Sequence, residues 1–294
     1  MDLSILIPSY NGGKILFDLV ARINENLLGK YSFEIIFVFD DGNIDTWQNI
    51  KELKKEFPET IKVYRLAKNY GQHKAIQFGL GKAKGNLIIT IDEDLQHDPG
   101  DIFKLIEKQQ EGNYDVVYGR FPILKHKGIR NKISAFLRKI LKHFIPYLYY
   151  NYSSYRLIKK DVAYTVSTLV SPYVFIDDLL CRITQNIAFV NITHQSRTEG
   201  KSSYTIGLLL WHGVLIILNY SRIIKWFLVA GTVLIFSGLI LIIFQDFPFA
   251  DLLINGSKYL LFIFAGSFFL IAGFLGFGIK LLSRIKNSRP VFNL

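Results

Sequence analysis

The sequence predicts an α/β domain with a mostly parallel sheet, followed by two helices that span a membrane. Short apolar runs alternate with helical patterns from Met1 to about Asn113. Polar, chemically versatile residues follow each of these runs, and beyond Trp226 the chain becomes almost continuously apolar. Because the chain has 294 residues, it is long enough for one large domain or two smaller ones. We place the main boundary near residue 200.

Four short apolar runs suit strands that are buried on both faces of a sheet: Leu3–Ile7, Phe33–Phe39, Ile61–Leu66 and Leu87–Ile91. The segments between them carry helical spacing: Lys14–Leu27, Thr46–Glu56 and Gln72–Ala83. Strands that alternate with helices indicate a mostly parallel sheet with covering helices. In such sheets, ligands bind beyond the carboxyl ends of the strands.

Two long runs near the C-terminus carry no charge: Trp226–Phe244 and Tyr259–Ile279. At about 1.5 Å per helical residue, each can cross a hydrocarbon core of about 30 Å. The alternative is a pair of buried helices in a soluble protein, although such helices rarely lack a polar face. Basic residues flank the pair on its outer sides, whereas the connecting loop contains Asp246, Asp251 and Lys258. This pattern predicts a cytoplasmic catalytic domain and C-terminus.

Two further segments suggest helices at the membrane surface. Ile206–Tyr220 is strongly apolar but short, and we interpret it as an interfacial or re-entrant helix, with a third span as the alternative. Ile129–Phe144 repeats apolar residues at steps of three and four, with Lys and Arg on its other faces. We interpret it as an in-plane helix on anionic lipid, with an ordinary core helix as the alternative. The predicted organisation is therefore a catalytic domain (1–200, containing a surface helix at 128–150), an interfacial helix (201–225), two spans (226–282) and a tail (283–294).

The composition narrows the class of protein further. A single cysteine excludes an intramolecular disulfide and fits a reducing compartment. The net charge of +11 is concentrated between Lys125 and Lys142 and around the apolar C-terminus, which favours anionic lipid or phosphate groups over nucleic acid as partners. The N-terminus has no basic stretch before its apolar run, so we expect a first strand there and not a signal peptide.

The polar segments after the four predicted strands form the candidate site: residues 8–13, 40–45, 68–73 and 92–99. Each of these segments alone is typical of a turn, but four segments that converge on one edge of the sheet indicate a binding site. Asp92 and Asp94 would repel each other without a cationic partner, and they can converge on one hard cation that keeps positions open for diphosphate oxygens. Mg²⁺ or Mn²⁺ in that place would neutralise charge on a leaving nucleoside diphosphate.

The same segments resemble the successive motifs of family-two glycosyltransferases: SILIPSYNGG, IIFVFDDGNID, LAKNYGQHKAIQFGLGKAKGN and ITIDEDLQHDP. Within that family, the chain looks like the polyprenyl-phosphate sugar transferases of the dolichol-phosphate mannose synthase type. The resemblance covers essentially the whole chain and includes YGR at Tyr118–Arg120, SSYRLIKKDV at Ser153–Val162 and RTEGKSSYT at Arg197–Thr205.

This resemblance implies a Rossmann-like glycosyltransferase A-type fold and an inverting, metal-dependent transfer of one sugar, a hexose or an aminopentose. The donor would be a UDP- or GDP-linked sugar, and the acceptor undecaprenyl phosphate or another polyprenyl phosphate at the inner or plasma membrane. Two alternatives remain: transfer to another membrane lipid such as diacylglycerol, and a catalytically silent membrane scaffold with this fold. A homo-oligomeric state is left open.

The resemblance also assigns residues to roles. The donor nucleoside would be held by Pro8, Tyr10, Asn11, Asp40 and Asp41. We count with them, in the third and fourth polar segments, Asn69, Gly71 and Glu93. The metal ligands would be Asp92, Asp94 and Gln96, with Asp94 acting in catalysis through the metal. The residues that bind donor or acceptor phosphate would be Arg120, Arg130, Arg197 and Lys201. For the arginines, the alternative is a solvated basic face.

The chain departs from the family pattern in places. Asn43 and Ile44 follow Asp40-Asp41-Gly42 where many relatives have a serine and another small polar residue, which leaves the choice of nucleobase open. Asp177 and Asp178 lie where many members carry an acidic base, and we assign that role to Asp178. The alternative is an acidic pair that stabilises a helix N-terminus. The chain lacks the Gln-x-x-Arg-Trp motif of processive synthases, which disfavours polymer synthesis.

Overall fold

The computed structural model describes residues 1–120, 152–170, 174–193, 223–243, 257–286 and 291–293. The chain divides into two compact units. The first comprises Met1–Lys142, Pro146–Ser203 and Ser288–Leu294, and the second comprises His143–Ile145 and Tyr204–Asn287. The predicted surface helices at 129–144 and 206–220 lie outside the described residues.

In the described residues of the first unit, eight strands form one sheet. They are β1 (Leu3–Ser9), β2 (Phe33–Phe39), β3 (Ile61–Leu66), β4 (Leu87–Thr90), β5 (Val116–Arg120), β6 (Arg156–Lys159), β7 (Ile187–Asn191) and β8 (Val291–Asn293). The helices of this unit are α1 (Ile15–Leu27), α2 (Ile44–Glu56), α3 (Gln72–Leu80), α4 (Ile102–Gly112), α5 (Lys160–Thr168) and α6 (Ile176–Ile183). A short 3₁₀ turn, Pro99–Asp101, precedes α4.

The sheet is mixed, with the strand order β7-β5-β6-β4-β1-β2-β3-β8. Strands β1 to β4, the first four along the chain, are parallel to one another, as the alternation of strands and helices predicts. β6 lies antiparallel between β4 and β5, and β8 lies antiparallel along β3 at the sheet edge. The sequence does not predict β8, since it lies in the segment expected to be a tail.

Helices cover both faces of the sheet, which explains the continuous apolar strands. Successive side chains of a strand point to opposite faces. Ile5 and Ile7 of β1 therefore pack in one buried cluster with α1, α2 and α4, while Leu6 packs in a second cluster with α3, α5 and α6. Burying one such side chain stabilises the fold by roughly 1.5–3 kcal/mol. This packing fixes the carboxyl ends of β1, β2 and β4 at one edge.

The described part of the second unit contains two helices, α7 (Ile223–Ile243) and α8 (Ser257–Lys286). They contain most of the two uncharged runs identified in the sequence. The helices approach closely where both lack a side chain, because a Cβ at Gly231 would lie 2.8 Å from the carbonyl oxygen of Gly266. Among the described residues, no helix meets the combined length and apolarity required to cross a membrane.

Candidate active site

The loops after β1 and β2 are in direct contact at the carboxyl edge of the sheet. The Asn43 amide donates to the Tyr10 carbonyl oxygen at 2.9 Å, and a Cβ at Gly42 would lie 1.8 Å from that oxygen. Only glycine therefore fits between the two loops. Asn43, which departs from the family pattern, caps α2 by accepting a hydrogen bond from the Asp45 amide at 2.9 Å.

Asp40, predicted to contact the nucleoside, holds the third loop in place. Its Oδ1 accepts a hydrogen bond from the Tyr70 amide and its Oδ2 one from the Gly71 amide, both at 2.7 Å. Gly71 has a φ of +90°, a conformation that favours glycine. Asp40 is buried, whereas its neighbour Asp41 is half-exposed and forms an ion pair with Arg65 at 3.0 Å. Asp41 is therefore the carboxylate of this pair that a ligand can reach.

Glu93 has a similar positioning task for the first loop. Its carboxylate accepts hydrogen bonds from the Asn11 amide at 2.9 Å and from the Tyr10 amide at 3.1 Å. Burial raises the pKa of Glu93, and these amide hydrogen bonds partly offset the rise. Tyr10 and Asn11 themselves are exposed beyond this anchor, whereas Pro8 is buried within β1. The exposed pair is thus available to a ligand, and Pro8 shapes the strand end.

The predicted metal-binding segment follows β4 directly. Asp92 accepts hydrogen bonds on both oxygens, from Gln72 Nε2 at 2.6 Å and from Ser154 Oγ at 2.5 Å. Asp94 accepts a hydrogen bond from the Gln96 amide at 3.2 Å, which closes a tight turn. Between them, the buried Leu95 has a φ of +56°, a conformation that leucine rarely adopts. The surrounding contacts hold this strained turn.

Asp92 and Asp94 are compatible with a divalent cation that takes only one or two carboxylates from the protein. Within the described part of the chain, no cluster of three or more His, Cys, Asp or Glu side chains could hold a metal ion. Mg²⁺ usually binds one or two carboxylates and completes its shell with water and substrate phosphates. Asp92 and Asp94 supply that number, and each carboxylate oxygen that accepts one hydrogen bond keeps a second lone pair.

Arg156, at the start of β6, is a buried cation beside this segment. It is 1% exposed, forms an ion pair with Asp177 through Nη1, and donates from Nε to Thr90 Oγ1 at 3.2 Å. Tyr118 Oη also donates to Asp177, at 2.9 Å. Burial alone would lower the pKa of Arg156, but the neighbouring Asp177, with smaller contributions from Tyr118 and Asp92, raises it. Arg156 therefore stays charged and joins β4, β6 and α6.

The acidic pair at the first turn of α6 is buried. Asp177 is bound by Arg156, and Asp178 is ion-paired with Arg182 Nε at 2.9 Å. The start of α6 lies beside α3, because the Phe175 ring contacts the His73 ring at a centroid distance of 5.0 Å. Asp178 is fully buried. Its role as a base stays a prediction.

The remaining predicted residues lie at the periphery or outside the described residues. Arg120 is exposed at the end of β5, where its Nε donates to Asn191 Oδ1 at 3.0 Å. Asn69 is exposed in the third loop. Three predicted phosphate-binding residues lie outside the described residues: Arg130, Arg197 and Lys201.

Sequence reasoning assigned no role to four polar residues that shape the site: Arg65, Gln72, Ser154 and Arg156. Ser154 and Arg156 lie within the SSYRLIKKDV motif, and Gln72 lies within the third motif. A signal was therefore present, since polar residues inside otherwise recognised motifs are candidates for contacts with neighbouring loops. Arg65 carried no such signal, because an arginine in a strand that mixes apolar and basic residues is expected to be solvated.

Comparison with known proteins decides the family. Residues 4–169, more than half of the chain, match the family described as Glycosyl transferase family 2. The chain belongs to glycosyltransferase family 2. The family resemblance expected from the motifs is thereby confirmed, and so is the assignment as a glycosyltransferase.

Two similar relatives of this family-2 chain are named as prenyl-phosphate sugar transferases. An undecaprenyl-phosphate 4-deoxy-4-formamido-L-arabinose transferase of Shewanella sediminis is 30% identical over 299 residues, which cover 98% of this chain and 89% of the relative. A dolichol-phosphate mannosyltransferase of Pyrococcus furiosus is 35% identical over 141 residues, which cover 48% of this chain and 38% of the relative. The first match spans nearly the whole length of both proteins.

A solved structure supports the fold. Glucosyl-3-phosphoglycerate synthase of Mycobacterium tuberculosis, in complex with Mg²⁺ and UDP, superimposes with a TM-score of 0.55 at 16% identity and covers 74% of this chain and 77% of that protein. The fold is therefore a glycosyltransferase A-like α/β fold with a mixed sheet, and this structural neighbour binds a divalent metal together with UDP.

Proposed function

We propose that this family-2 enzyme transfers one sugar from a UDP- or GDP-linked donor to a polyprenyl phosphate. The observation that carries the proposal is the placement of Asp92 and Asp94 at the end of β4, beside the exposed loops after β1 and β2. The nearly full-length similarity to an undecaprenyl-phosphate sugar transferase supports the acceptor class.

On the donor side, the chain's own residues preorganise the site. A bound Mg²⁺ or Mn²⁺ would supply Lewis-acid stabilisation of the leaving diphosphate, with Asp92, Asp94 and Gln96 as its ligands. Gln72 and Ser154 fix Asp92, and the turn at Gln96 fixes Asp94. Because these groups are held before the donor binds, little reorganisation is needed during the reaction.

On the acceptor side, the nucleophile is a phosphate oxygen that is already ionised near neutral pH. It would attack the anomeric carbon from the face opposite the leaving nucleoside diphosphate, which inverts the configuration. Such a nucleophile needs little help from a general base, so the burial of Asp178 is compatible with turnover. We propose that four basic residues neutralise the donor and acceptor phosphates: Arg120, Arg130, Arg197 and Lys201. The arginines suit bidentate contacts to phosphate, and the lysine supplies a point charge.

Comparing acceptors tests this proposal. The purified protein is incubated with undecaprenyl phosphate, undecaprenol or diacylglycerol in separate reactions, each with Mn²⁺ and the same mixture of UDP- and GDP-sugars. Lipid products are identified by mass spectrometry. We expect a sugar-lipid product with undecaprenyl phosphate alone. A product on diacylglycerol would instead support the membrane-lipid alternative. Donor binding with no product on any acceptor would support the silent scaffold.

We also propose that α7 and α8 form a membrane hairpin. In the proposed organisation, a catalytic domain (1–200) is followed by an interfacial helix (201–225), the hairpin (226–282) and a tail (283–294). The uncharged runs support it, and so do large apolar side chains that the helices leave exposed. These include Trp226, Val233 and Phe236 on α7 and Phe264, Phe268 and Phe274 on α8. Exposed apolar patches of this kind mark protein or membrane contacts.

Cysteine labelling tests the topology of this hairpin. The basic flanks support a topology with residue 255 outside the cell and residue 287 in the cytoplasm. An impermeant thiol reagent added to intact cells should label Asn255→Cys but not Asn287→Cys, and it should label both after the cells are opened. The native Cys181 is buried and provides the background measurement. Labelling of Asn287→Cys in intact cells would refute the topology.

A further inference from the structure

Glu93 lies between the two aspartates that we propose bind the metal, yet its side chain contacts a different loop. Its Oε1 accepts hydrogen bonds from the Asn11 amide at 2.9 Å and from the Tyr10 amide at 3.2 Å, and its Oε2 accepts one from the Tyr10 amide at 3.1 Å. A Cβ at Gly12 would lie 2.6 Å from Oε2, so the carboxylate packs directly against that residue. One side chain of the metal-binding segment therefore contacts three consecutive residues of the first loop.

This contact closes a ring of hydrogen bonds that joins the four polar segments after β1 to β4. Each segment is bonded to the next along the chain, and Glu93 bonds the last segment to the first. The other contacts in the ring are the Asn43 amide with the Tyr10 carbonyl, the Tyr70 and Gly71 amides with Asp40, and Gln72 Nε2 with Asp92. Glu93 is thus a direct link between the metal-binding segment and the first loop.

A cation bound by Asp92 and Asp94 would restrict the segment that carries Glu93. Two carboxylates that share one cation no longer repel each other, and both become fixed relative to it. The turn that follows contains Leu95 at a φ of +56°, a conformation that persists only while the surrounding contacts hold it. Because Glu93 lies between the two ligands in the chain, fixing them also fixes the backbone from which its side chain extends. The link to the first loop is then formed for a larger fraction of the time.

The first loop is also where we expect the donor nucleoside. The side chains of Tyr10 and Asn11 are exposed beyond the contact with Glu93, that of Tyr10 by 42%. Hydrogen bonds from amides to a carboxylate are charge-assisted and stronger than those between neutral groups. A loop that one ligand has already ordered loses less conformational entropy when a second ligand binds, and this gives positive cooperativity.

We infer that Glu93 is a positioning residue that couples the metal site to the first loop, so that a divalent cation and a nucleoside bind cooperatively through the protein. This assignment rests on the proposed function and adds to it a coupling that does not need the diphosphate. A nucleoside without phosphates isolates this coupling, because it cannot contact the metal through a diphosphate. By linkage, the metal strengthens nucleoside binding by the same factor as the nucleoside strengthens metal binding.

Hydrogen exchange of the full-length chain in detergent tests the inference, with and without saturating Mg²⁺ and with no nucleotide present. Mass spectrometry follows the exchange of the Tyr10 and Asn11 amides. We expect Mg²⁺ to slow this exchange about tenfold, which is within the usual range of coupling between two sites. Uridine and guanosine are the nucleoside probes in saturation-transfer NMR. The nucleoside that binds should bind about tenfold more tightly with Mg²⁺ than without it.

Two conservative variants separate the hydrogen-bonded link from the charge. Glu93→Gln removes the charge but keeps the length and one acceptor oxygen, so it should keep most of the Mg²⁺ effect. Glu93→Asp keeps the charge but is one methylene shorter, so the effect of Mg²⁺ on exchange should fall below about twofold. Glu34→Asp is the matched control. Glu34 is 1% exposed, lies near the start of β2, and accepts from the Lys84 amide at 2.7 Å. This variant should leave the Mg²⁺ effect unchanged.

The inference is overturned if Mg²⁺ does not change the exchange of the two amides in the native chain, because a merely structural Glu93 would hold the loop equally with and without metal. It is also overturned if Glu93→Asp keeps the effect or Glu93→Gln abolishes it, since the hydrogen-bonded link would then not carry the coupling. UDP and GDP with Mg²⁺ check the proposed function separately. If neither binds the native chain, the proposed function fails, whereas binding without a change in exchange contradicts the inference alone.

Discussion

Replacing Asp94 with asparagine should abolish turnover while the protein stays folded. The amide keeps an oxygen that can accept the hydrogen bond from the Gln96 amide, so the turn after β4 is preserved. It removes one of the two negative charges that we propose bind the metal. Metal stabilisation of the leaving diphosphate is worth several kcal/mol, and each 1.36 kcal/mol is tenfold in rate. We therefore expect kcat to fall by at least about a hundredfold.

The measurement is kcat at saturating donor across a Mn²⁺ titration, together with the melting temperature. Asp98→Asn is the matched control, since Asp98 lies four residues further on and caps the 3₁₀ turn by accepting from the Gly100 amide at 2.9 Å. Asparagine caps equally well, so this variant should retain activity. Near-normal kcat in Asp94→Asn, with metal still bound, would show that the metal site has been assigned to the wrong residues.

Replacing Arg156 with methionine should destabilise the catalytic domain by roughly 3–5 kcal/mol. The variant leaves the buried Asp177 without its counter-ion, and the cost of an unpaired buried charge is much larger than that of losing the pair as a whole. For a domain of this size, the change corresponds to a fall in melting temperature of roughly 6–20 °C. Thermal unfolding of the full-length chain measures it.

The double variant Arg156→Met with Asp177→Asn isolates the cause of this loss. It removes both charges, and the asparagine oxygen still accepts the hydrogen bond from Tyr118. Most of the lost stability should therefore return, because a buried ion pair can often be replaced by neutral groups at little cost. If the double variant unfolds as early as Arg156→Met, the loss comes from packing around β6 and not from the unpaired carboxylate.

Local patterns were sufficient for the first half of the fold. The predicted bounds of β2 and β3 are confirmed, because apolar runs between polar turns mark buried strands at both ends. The prediction for α3 was too long, since Gly81 follows Leu80 and ends the helix before Ala83. β6 was missed because a four-residue strand with a cation at each end does not look buried. Arg156 is buried only because Asp177 neutralises it, and that partner is distant in sequence.

The sequence predicted which polar residues lie at the carboxyl edge of the sheet, but not which of them hold neighbouring loops in place. Polar residues after parallel strands indicate an edge at which ligands bind, and this rule gave Asp41, Asp92 and Asp94 their place. The rule does not say which carboxylates face the ligand. Asp40 and Glu93 accept hydrogen bonds from backbone amides of other loops. The two Glu93 contacts join residues that are 83 and 82 positions apart in the sequence. Only the folded chain reveals bonds over such distances.

A donor panel tests the central proposal most directly. The full-length chain would be incubated with undecaprenyl phosphate and, in separate reactions, UDP-glucose, UDP-N-acetylhexosamine, a UDP-aminoarabinose type donor and GDP-mannose, with Mn²⁺ or with EDTA. We expect one donor to give a single sugar on undecaprenyl phosphate with inverted anomeric configuration, and we expect EDTA to abolish the product. A lipid product with retained configuration, or one formed equally in EDTA, would contradict the proposed mechanism.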